Sequence, residues 1–340
     1  MTILVGILGG GGISDTHARA ASAIPGVEIA AVHGDNTEKA LRLATALRVP
    51  AYPTLEAFLA HRPMDVVAIG SPSGCHAAQA MACARVGLHV LVEKPMAVTV
   101  EDAGTLVEAC EAAGVRLGVF FQDRLQPDFV RLKAFLDAGG LGRILLVSGH
   151  VKWYRPPEYY GTSRWRGTWA LDGGGAVMNQ GIHTLDLMLH LLGDVATVSA
   201  RAGAVRHEIE VEDTAIATLQ FRNGALGTFE ATTAAYPGYK RRLEISGERG
   251  TIVVEHDRVV AADLMPGSPP FAASPAAASR ESASSHVVSD ATPHRRIFED
   301  FLRALREGTR PICDGREGSR SIDLVLALYA SARTGAAVTV

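Results

Sequence analysis

The sequence of 340 residues contains few cysteines and no long basic or apolar run. Its four cysteines show neither Cys-x-x-Cys spacing nor a companion histidine cluster. This pattern argues against a disulfide framework and against a zinc site, so no metal is expected. We expect reduced cysteines, which are typical of a cytoplasmic protein. The cysteines are Cys75, Cys83, Cys110 and Cys313.

Charge and hydropathy exclude two further classes of partner. The formal net charge is only −3, and no Lys/Arg run is long enough to cover phosphates, which argues against nucleic acid and anionic membrane surfaces. The apolar start at Ile3 to Leu8 is too short for the core of a signal peptide. No run approaches the roughly 20 apolar residues of a membrane helix. The composition therefore favours a small-molecule substrate.

Residues 1–121 alternate short, continuous apolar runs with helical patterns. Such runs are typical of parallel strands that helices cover on both faces. The pattern predicts an α/β Rossmann domain with a doubly wound parallel sheet. Its predicted strands are Ile3–Leu8, Glu28–Val32, Asp65–Ile69, His89–Val92 and Arg116–Phe120, and its helices include Thr16–Ala23 and Ala77–Val86.

Residues 122–340 show longer strands in which polar and apolar side chains alternate. This alternation predicts an α+β domain with a large open, mostly antiparallel sheet. Asn223-Gly224 predicts a tight hairpin turn with positive φ at both residues. The predicted strands are Ile144–Val151, Val198–Arg206, Thr214–Phe221, Ala225–Thr232, Arg242–Ser246, Thr251–Glu255 and Ala336–Val340, and the helices are Thr184–Leu192, Arg295–Glu307 and Ser319–Ala332.

The segment from Leu264 to Pro293 is rich in Ser, Ala and Pro and has little apolar patterning. Such a composition provides little apolar surface to offset the entropy lost on ordering. The sequence therefore predicts a long mobile loop there.

A glycine turn follows the first strand and precedes a helix. Gly9-x-Gly11-x-x-Ser14 matches the dinucleotide-binding pattern except for its last residue, where a small serine can still allow close packing. Gly9 permits the turn, while Gly11, Gly12 and Ile13 would approach the pyrophosphate at the positive end of the helix. A purely structural glycine loop is the alternative.

Asp35 lies near the end of the second predicted strand, where an acidic side chain accepts hydrogen bonds from the ribose hydroxyls of NAD. It would repel the 2′-phosphate of NADP, so the sequence favours NAD over NADP. For His76, an ordinary residue at the start of a helix is the alternative. The other residues that we assign to the cofactor site are Lys39, Ser71, Pro72, His76, Glu93, Lys94 and Gln122.

Lys94 and His183 are the candidate catalytic pair. Lys94 follows a buried strand, so its side chain would leave the carboxyl edge of the sheet, where doubly wound folds bind ligands. The alternative is a surface lysine paired with Glu93. His183 follows Gly173 to Gly175, which would let a ligand approach closely, and an imidazole suits proton transfer at neutral pH. A core histidine is the alternative.

A segment rich in aromatic residues and arginine precedes those glycines. We interpret it as a substrate lid in which Arg155 or Arg166 pairs with a carboxylate or phosphate. An interface loop is the alternative, because Arg, Tyr and Trp also favour protein contacts. The predicted substrate-binding residues are Tyr154, Arg155, Trp165, Arg166, Asn179, Lys94 and His183.

Together these motifs resemble the Gfo/Idh/MocA (glucose-fructose oxidoreductase / inositol dehydrogenase / rhizopine catabolism) family. The resemblance rests on the glycine turn, on Glu93-Lys94-Pro95, on Gly173 to Gly175 with His183 and Asp186, and on the pattern from Tyr329 to Gly335. It implies a Rossmann domain followed by an open-sheet substrate domain. It also implies NAD(P)-dependent oxidation or reduction of sugars, sugar acids, sugar nucleotides or cyclitols.

By that resemblance Lys94 is the active-site lysine and His183 the catalytic histidine. Many members carry Asp four residues before the histidine, where this chain has Asn179, an amide that can bind a substrate hydroxyl but cannot stabilise an imidazolium. An Asn179→Asp change should be tolerated, or should shift the acid limb of the pH profile upward by stabilising the imidazolium. The sequence from Met178 to His183, with Trp165 to Trp169 before it, is similar to the branch that acts on nucleotide-linked or acidic sugars.

Many members of the family form dimers or tetramers by packing the exposed faces of the second-domain sheets. Thr214 to Phe221 alternates in a way that leaves Ile216 and several threonines on such a face. We therefore expect a homodimer or homotetramer.

Three functions remain open from the sequence. The leading one is a dehydrogenase or reductase that transfers a hydride between nicotinamide and a hydroxyl or ketone. A non-catalytic NAD(P)-binding sensor is the second, and Asn179 is the only residue that favours it. The third is a glycoside-processing enzyme that recycles the hydride on a bound cofactor.

Overall fold

A computed structural model describes residues 2–275 and 290–340. They form two compact units, the first built from residues up to 122 and from 290–319, the second from residues 123–275 and 320–340. The strands are β1 Ile3–Leu8, β2 Val27–His33, β3 Ala51–Tyr52, β4 Val66–Ile69, β5 His89–Val92, β6 Leu117–Val119, β7 Ile144–Lys152, β8 Val195–Gly203, β9 Thr214–Phe221, β10 Leu226–Thr232, β11 Arg242–Gly247, β12 Gly250–Glu255, β13 Arg258–Leu264 and β14 Val338–Thr339.

The helices are α1 Gly12–Ser22, α2 Thr37–Leu47, α3 Leu55–Leu59, α4 His76–Arg85, α5 Val100–Ala112, α6 Pro127–Asp137, α7 Pro157–Gly161, α8 Trp169–Asp172, α9 Ile182–Leu192, α10 Thr292–Glu307 and α11 Gly315–Thr334. Short 3-10 turns occupy Ser73–Cys75 and Gln122–Leu125, and a π-helical turn occupies Ala176–Gly181. None of the helices in the described ranges combines the length and the apolar character that crossing a membrane requires.

The first unit contains a six-stranded parallel sheet in the order β3-β2-β1-β4-β5-β6. The strand order reverses between β1 and β4, which is the point where doubly wound sheets bind ligands at their carboxyl edge. All four residues of β4 are fully buried, as parallel strands covered on both faces require. The predicted Rossmann fold is confirmed.

Helix α10 belongs to the first unit, although the sequence boundary places every residue after 121 in the second domain. Phe298 and Phe301 on α10 are buried, and Phe298 meets Phe120 edge to face at 5.4 Å between ring centroids. A β-carbon on Gly118 would lie 2.7 Å from the Phe301 ring, so the glycine lets the helix approach β6 closely. The amphipathic pattern predicts the helix, but it does not say which sheet the apolar face covers.

The second unit contains an eight-stranded sheet in the order β13-β12-β11-β7-β10-β9-β8-β14. Only β7 and β10 pair in parallel, so the predicted open, mostly antiparallel sheet is confirmed. Helix α9 packs on β7, where a β-carbon on Gly149 would lie 2.9 Å from Met188 Sδ. This close approach fixes the helix that carries His183.

Strand β9 alternates as the sequence predicts. Ala215, Ala217, Leu219 and Phe221 are buried, whereas Ile216 is 55% exposed. Its neighbours on the same sheet include the exposed Leu226 of β10 and Leu146 of β7. Within the described residues the sheet therefore has one covered and one open face.

The hairpin between β9 and β10 differs from its prediction. Gly224 has φ of 89°, but Asn223 does not have a positive φ, so this is not the two-residue turn that the Asn-Gly pair suggests. Instead Asn223 uses its side chain, which donates to Leu192 O and accepts from Ala225 N. These side-chain bonds stabilise a longer connection of residues 222–225.

The predicted mobile loop Leu264–Pro293 is described only in part. Leu264 ends β13 and Pro293 lies in the first turn of α10, whereas Phe271 packs on Phe135 with 4.6 Å between ring centroids. Residues 276–289 of this segment lie outside the described residues. Its mobility stays a prediction.

Candidate active site

The glycine turn of the first unit joins β1 to α1. Gly9 has φ of 129°, and a β-carbon there would lie 2.4 Å from Ser14 Oγ and 2.6 Å from Gly70 O, so only glycine fits. By contrast, β-carbons on Gly11 and Gly12 would meet nothing within 4 Å. The turn therefore leaves open space in front of the helix N-terminus, where a pyrophosphate can accept hydrogen bonds from backbone N–H groups.

Two predicted cofactor residues follow β2. Asp35 is exposed two residues after the strand end, and Asn36 caps α2 by accepting a hydrogen bond from the Lys39 backbone N–H at 3.0 Å. Asp35 thus lies directly before the N-cap of α2 and is exposed to solvent. The side chain of Lys39 is exposed as well.

His76 begins α4 and is almost fully buried. Its Nδ1 lies 2.7 Å from Pro95 O and its Nε2 lies 2.8 Å from Ser71 O. Burial lowers the His76 pKa, although both carbonyl contacts and the Glu93 charge act to raise it. The ring thus links the chain after β4 to the chain after β5, and both of its nitrogens contact backbone oxygens rather than a cofactor site.

Glu93 lies at the end of β5 and is buried between two histidines. Its Oε1 lies 3.0 Å from His17 Nε2 and 3.3 Å from His294 Nε2, and its Oε2 accepts the Lys94 backbone N–H at 3.2 Å. Burial disfavours the carboxylate, but hydrogen bonds from both histidines hold the Glu93 pKa well below its ordinary value. The carboxylate therefore fixes the backbone from which the half-buried Lys94 side chain projects.

The three groups His17, Glu93 and His294 have the composition of a metal site. Among the described residues, however, Nδ1 of each histidine lacks a hydrogen-bond partner, whereas metal-bound imidazoles donate that N–H to an outer oxygen. Nε2 of each ring instead contacts the same carboxylate oxygen, Glu93 Oε1. We interpret the cluster as a hydrogen-bonded support for Lys94.

In the second unit, Gly174 and Gly175 approach protein atoms rather than open space. A β-carbon on Gly175 would lie 1.8 Å from Glu212 O, and one on Gly174 would lie 2.1 Å from the Tyr329 hydroxyl. The prediction that Gly174 and Gly175 leave room for a ligand is therefore wrong, because protein atoms occupy that space. The two glycines let the chain pass close to Glu212, which precedes β9, and to Tyr329 of α11, and they directly precede the π-helical turn that carries Asn179.

Glu212 and Tyr329 hold this turn. The Glu212 carboxylate accepts the backbone N–H groups of Gly175 at 3.0 Å and Val177 at 2.8 Å. The Tyr329 hydroxyl donates to Glu212 Oε1 at 2.8 Å and accepts from Met178 N at 3.2 Å. Burial raises the pKa of Glu212 and that of Tyr329, the latter with help from the neighbouring carboxylate.

Asn179 is half-buried, and its amide Nδ2 donates to Asp172 Oδ1 at 2.6 Å. Asp172 also accepts the Gly167 backbone N–H at 2.9 Å. Next along the turn, Gln180 donates to the Tyr159 hydroxyl at 3.1 Å and accepts from Arg155 at 3.3 Å. The turn thus connects to the segment of aromatic residues and arginine.

That segment stacks two guanidinium groups on aromatic rings. Arg166 lies 4.1 Å from the Tyr159 centroid, and Arg155 lies 5.3 Å from the same centroid. Arg155 also stands over Trp153, and its burial together with the nearby Arg166 charge lowers its pKa. Tyr154 meets Tyr236 edge to face, and Trp165 is half-buried. Asn179 and the two arginines predicted from sequence therefore share one hydrogen-bonded and stacked region.

His183 lies in the first turn of α9, with its side chain 15% exposed. Its Nδ1 is 3.7 Å from Oδ2 of Asp123, a residue that belongs to none of the sequence motifs. Asp123 also forms an ion pair with Arg241. Its neighbour Arg124 makes a two-pronged ion pair with Asp186, at 2.9 and 2.7 Å. In the sequence, Asp123 is distinguished only by its position directly after the predicted cofactor residue Gln122.

Comparisons with known proteins agree with both units. A family model for oxidoreductases with an NAD-binding Rossmann fold matches residues 3–121. The model for the GFO/IDH/MocA C-terminal domain matches residues 129–253. Together the two models cover more than half of the chain.

The WlbA dehydrogenase from Bordetella pertussis, solved in complex with NADH and UDP-GlcNAcA, is similar over 100% of this chain and 99% of its own, with 34% identity and a TM-score of 0.89. D-xylose 1-dehydrogenase (NADP(+)) 2 of Haloferax volcanii is 30% identical over 99% of each chain. Inositol 2-dehydrogenase 2 of Saccharopolyspora erythraea is 32% identical over 74% of this chain and 73% of its own. The chain therefore belongs to the Gfo/Idh/MocA family of NAD(P)-dependent oxidoreductases.

Proposed function

We propose that this oxidoreductase acts on a hydroxyl or ketone of an acidic sugar, free or linked to a nucleotide. The observation that carries the proposal is the stacked arginine pair beside Gln180 and Asn179. Arg166 forms no ion pair with a carboxylate of the described residues, although its guanidinium is half-buried against Tyr159. A cation in such a place suits a carboxylate or phosphate of the substrate, which would supply the missing negative charge.

The comparison with the Bordetella protein supports an anionic substrate. That protein shares 34% of its residues with this chain over the full length, and its structure contains UDP-GlcNAcA, a sugar linked to a diphosphate. The xylose and inositol dehydrogenases named above act on neutral compounds and are also similar to this chain. The charge of the substrate is therefore the property to test first.

The first unit fits the cofactor. Gly11 and Gly12 leave open space at the N-terminus of α1, and Gln122 Oε1 is buried without a hydrogen-bond partner among the described residues. We propose that Gly9 to Ile13 bind the pyrophosphate and that Asp35 selects NAD over NADP. The bound nicotinamide supplies the hydride acceptor or donor.

In the proposed oxidation, neutral His183 takes the proton of the substrate hydroxyl while the carbon that bears this hydroxyl loses its hydride to the nicotinamide. The Lys94 ammonium donates a hydrogen bond to the reacting oxygen and stabilises its developing negative charge. Asn179 takes no proton, since a carboxamide is not basic at neutral pH, and its Nδ2 already donates to Asp172. In reduction the same proton returns from protonated His183 to the alkoxide.

Absorbance of NADH tests this function directly. We expect turnover with NAD and UDP-GlcNAcA and much less with xylose or myo-inositol. His183→Ala and Lys94→Ala should each lose roughly 100-fold or more in kcat, because a positioned acid or base contributes roughly 10²–10⁴-fold. His183→Ala should bind NAD with nearly unchanged affinity. Faster turnover of a neutral sugar than of any acidic one would contradict the proposal, and NAD binding with no turnover at all would support the non-catalytic sensor.

Arg166 is tested against a matched arginine in the same segment. Arg166→Met should raise KM for the acidic sugar by about tenfold or more, because it removes a charge-assisted contact. Arg164 is exposed and makes no ring contact or ion pair among the described residues, so Arg164→Met should leave KM unchanged. Equal effects of the two substitutions would argue for a nonspecific charge effect.

We also propose that the open sheet face joins copies of this chain into a homodimer or homotetramer. Ile216, Leu226 and Leu146 expose apolar surface there, between 48% and 57% of each residue. Light scattering should show a dimer or tetramer at micromolar concentration. Ile216→Lys should shift it towards monomer, and a wild-type monomer would contradict the proposal.

We further propose a cytoplasmic location. The four cysteines are free thiols, and burial raises the pKa of Cys83 to about 12 and that of Cys110 to about 11. Such thiols are unreactive, and free thiols are usual in a reducing compartment. Fractionation of the source cells tests this directly.

A further inference from the structure

We propose that Asp123 is the positioning residue of His183, and that it stabilises the protonated imidazole in the place of a carboxylate at position 179. This inference rests on the proposed function, because it assigns His183 the proton. Asp123 does not touch substrate in this proposal. It acts only through His183.

The geometry gives Asp123 this role. Its Oδ2 lies 3.7 Å from His183 Nδ1, and the two side chains are only 8% and 15% exposed. Opposite charges at this distance interact strongly when water is largely excluded. Because Nδ1 faces the carboxylate, the other ring nitrogen, Nε2, is the one that can take the substrate proton.

The arrangement behind Asp123 keeps its carboxylate charged. Arg241 contacts both Asp123 and Asp257, and its Nε donates to His256 O at 2.9 Å. Burial acts to raise the Asp123 pKa, but the charges of Arg241 and His183 overcome it and hold that pKa below its ordinary value. Asp123, Asp257 and Arg241 together carry one net negative charge. A proton on His183 would neutralise it.

Arg124, the residue after Asp123, helps to hold α9 and its His183 next to Asp123. Arg124 and Asp186 are fully buried, and Ser321 also donates to Asp186 at 2.9 Å. Asp186 lies three residues after His183 on α9, so both side chains lie on one face of the helix. Asp123 and Arg124 of the 3-10 turn Gln122–Leu125 therefore meet successive turns of α9, and the buried Arg124–Asp186 pair holds the backbone of His183 next to that of Asp123.

Position 179 cannot take over this role. The Asn179 amide is neutral, and it donates to Asp172 at 2.6 Å. Several charged or titratable groups of the described second unit are linked to these side chains. Arg241 and His256 act on Asp123, Asp257 pairs with Arg241, Asp186 pairs with Arg124, and Asp172 accepts the Asn179 amide. Asp123 itself is within ion-pair distance of His183, at 3.7 Å.

The first test is a titration of His183 that needs no substrate. Protein labelled with carbon-13 at histidine Cε1 gives one signal for each of the 12 histidines, and His183→Gln identifies the signal of His183. In Asp123→Asn the midpoint of the pH titration of that signal should move to lower pH, because the negative charge that stabilises the imidazolium is absent. Asp123→Glu should bring it back towards the wild-type value.

Asp257→Asn is the matched control. It removes the other carboxylate from Arg241 but leaves Asp123 beside His183, so the His183 midpoint should move much less than in Asp123→Asn. An unchanged His183 midpoint in folded Asp123→Asn would overturn the proposal. An equal shift in both variants would do so as well, since it would show a general effect of the cluster.

The second test uses the reaction. With NAD and UDP-GlcNAcA, Asp123→Asn should lower the plateau of kcat by about tenfold or more, a part of the roughly 10²–10⁴-fold that a positioned base contributes. The acid limb of the profile should move to lower pH, while NAD affinity stays the same. A uniform loss without movement of the limb would indicate a structural role only and would overturn the proposal. If the wild type showed no turnover, the proposed function would fail, and the titration would still decide whether Asp123 sets the protonation of His183.

Discussion

The Tyr329 hydroxyl lies so close to Gly174 that a β-carbon on this glycine would be only 2.1 Å from the hydroxyl oxygen. Gly174 also has φ of 154°, which L side chains rarely adopt. From this position the Tyr329 hydroxyl accepts a hydrogen bond from the Met178 backbone N–H and donates one to the Glu212 carboxylate. One glycine thus allows α11 to support the turn that carries Asn179.

Gly174→Ala should therefore destabilise the second unit and impair the site. Overpacking of a close contact typically costs about 1–3 kcal/mol, and the unfavourable φ adds to it. Denaturant unfolding measures the loss. Gly161→Ala is the control, because a β-carbon there meets nothing within 4 Å, and it should change the free energy of unfolding by less than about 1 kcal/mol. Equal stability of the two variants would contradict the close contact.

Tyr329→Phe should destabilise the protein without any change of packing. It removes the donor to Glu212 Oε1 and the acceptor of the Met178 N–H, both buried. Leaving buried polar groups unsatisfied costs about 1–3 kcal/mol. Thermal unfolding should show a lower Tm than that of the wild type. A Tm equal to that of the wild type would mean that these bonds contribute nothing net.

Asn179→Asp should not be the mild change that the sequence suggests. Its new carboxylate would lie beside Asp172, which now accepts the Asn179 amide at 2.6 Å. Two carboxylates this close cannot both ionise readily, so the pKa of one must rise above its unfolded value. The folded variant is then stable while that proton is bound and loses stability as pH rises through the raised pKa.

The Tm deficit of Asn179→Asp relative to the wild type should accordingly be larger at pH 8 than at pH 5. The exchanged double variant, Asp172→Asn with Asn179→Asp, restores one amide and one carboxylate. It should recover most of the lost Tm at pH 8. A deficit that is independent of pH would show that repulsion between the carboxylates is not the cause.

Glu93→Gln should lower stability at neutral pH by about 1.5–3 kcal/mol, the range for hydrogen bonds to a charged group. The Glu93 pKa is held well below its ordinary value of 4.5, so the wild-type carboxylate stabilises the fold above that pH. Its contribution is lost as pH falls below about 4.5 towards the folded pKa, and the gap between wild type and variant should narrow there. Unfolding at pH 7 and pH 3.5 measures both parts.

Glu111→Gln gives the comparison for that experiment. Glu111 pairs with Arg316 at 2.8 Å on the surface, where solvent screens the charges. It should change stability little at either pH. Equal losses from Glu93→Gln and Glu111→Gln would contradict the structural role of the buried cluster.

Asp35→Ser should raise the ratio of kcat/KM with NADP to that with NAD by about tenfold, because it removes a charge that repels the 2′-phosphate. Glu38 lies three residues later on the exposed first turn of α2, so Glu38→Gln is the matched control. The control should leave the ratio nearly unchanged. Tighter binding of NADP than of NAD by the wild type, measured by calorimetry, would refute the proposed selectivity.

Local patterns determined much of this protein. The continuous apolar run at β4 requires two covered faces, and the strict alternation along β9 requires one covered and one open face. Gly9 could be assigned to a tight turn because it stands where a strand ends and a helix begins. Period and position within a few residues carry this information, so the sequence alone was sufficient.

Contacts between distant segments were decided only by the tertiary structure. Asp123 and His183 are 60 residues apart, and Glu212 and Tyr329 are 117 apart. No local period indicates which buried carboxylate meets which histidine, because that depends on how helices and strands pack. The sequence therefore singled out His183 and the glycines, but packing decided that the glycines approach Glu212 and Tyr329 and that Asp123 faces His183.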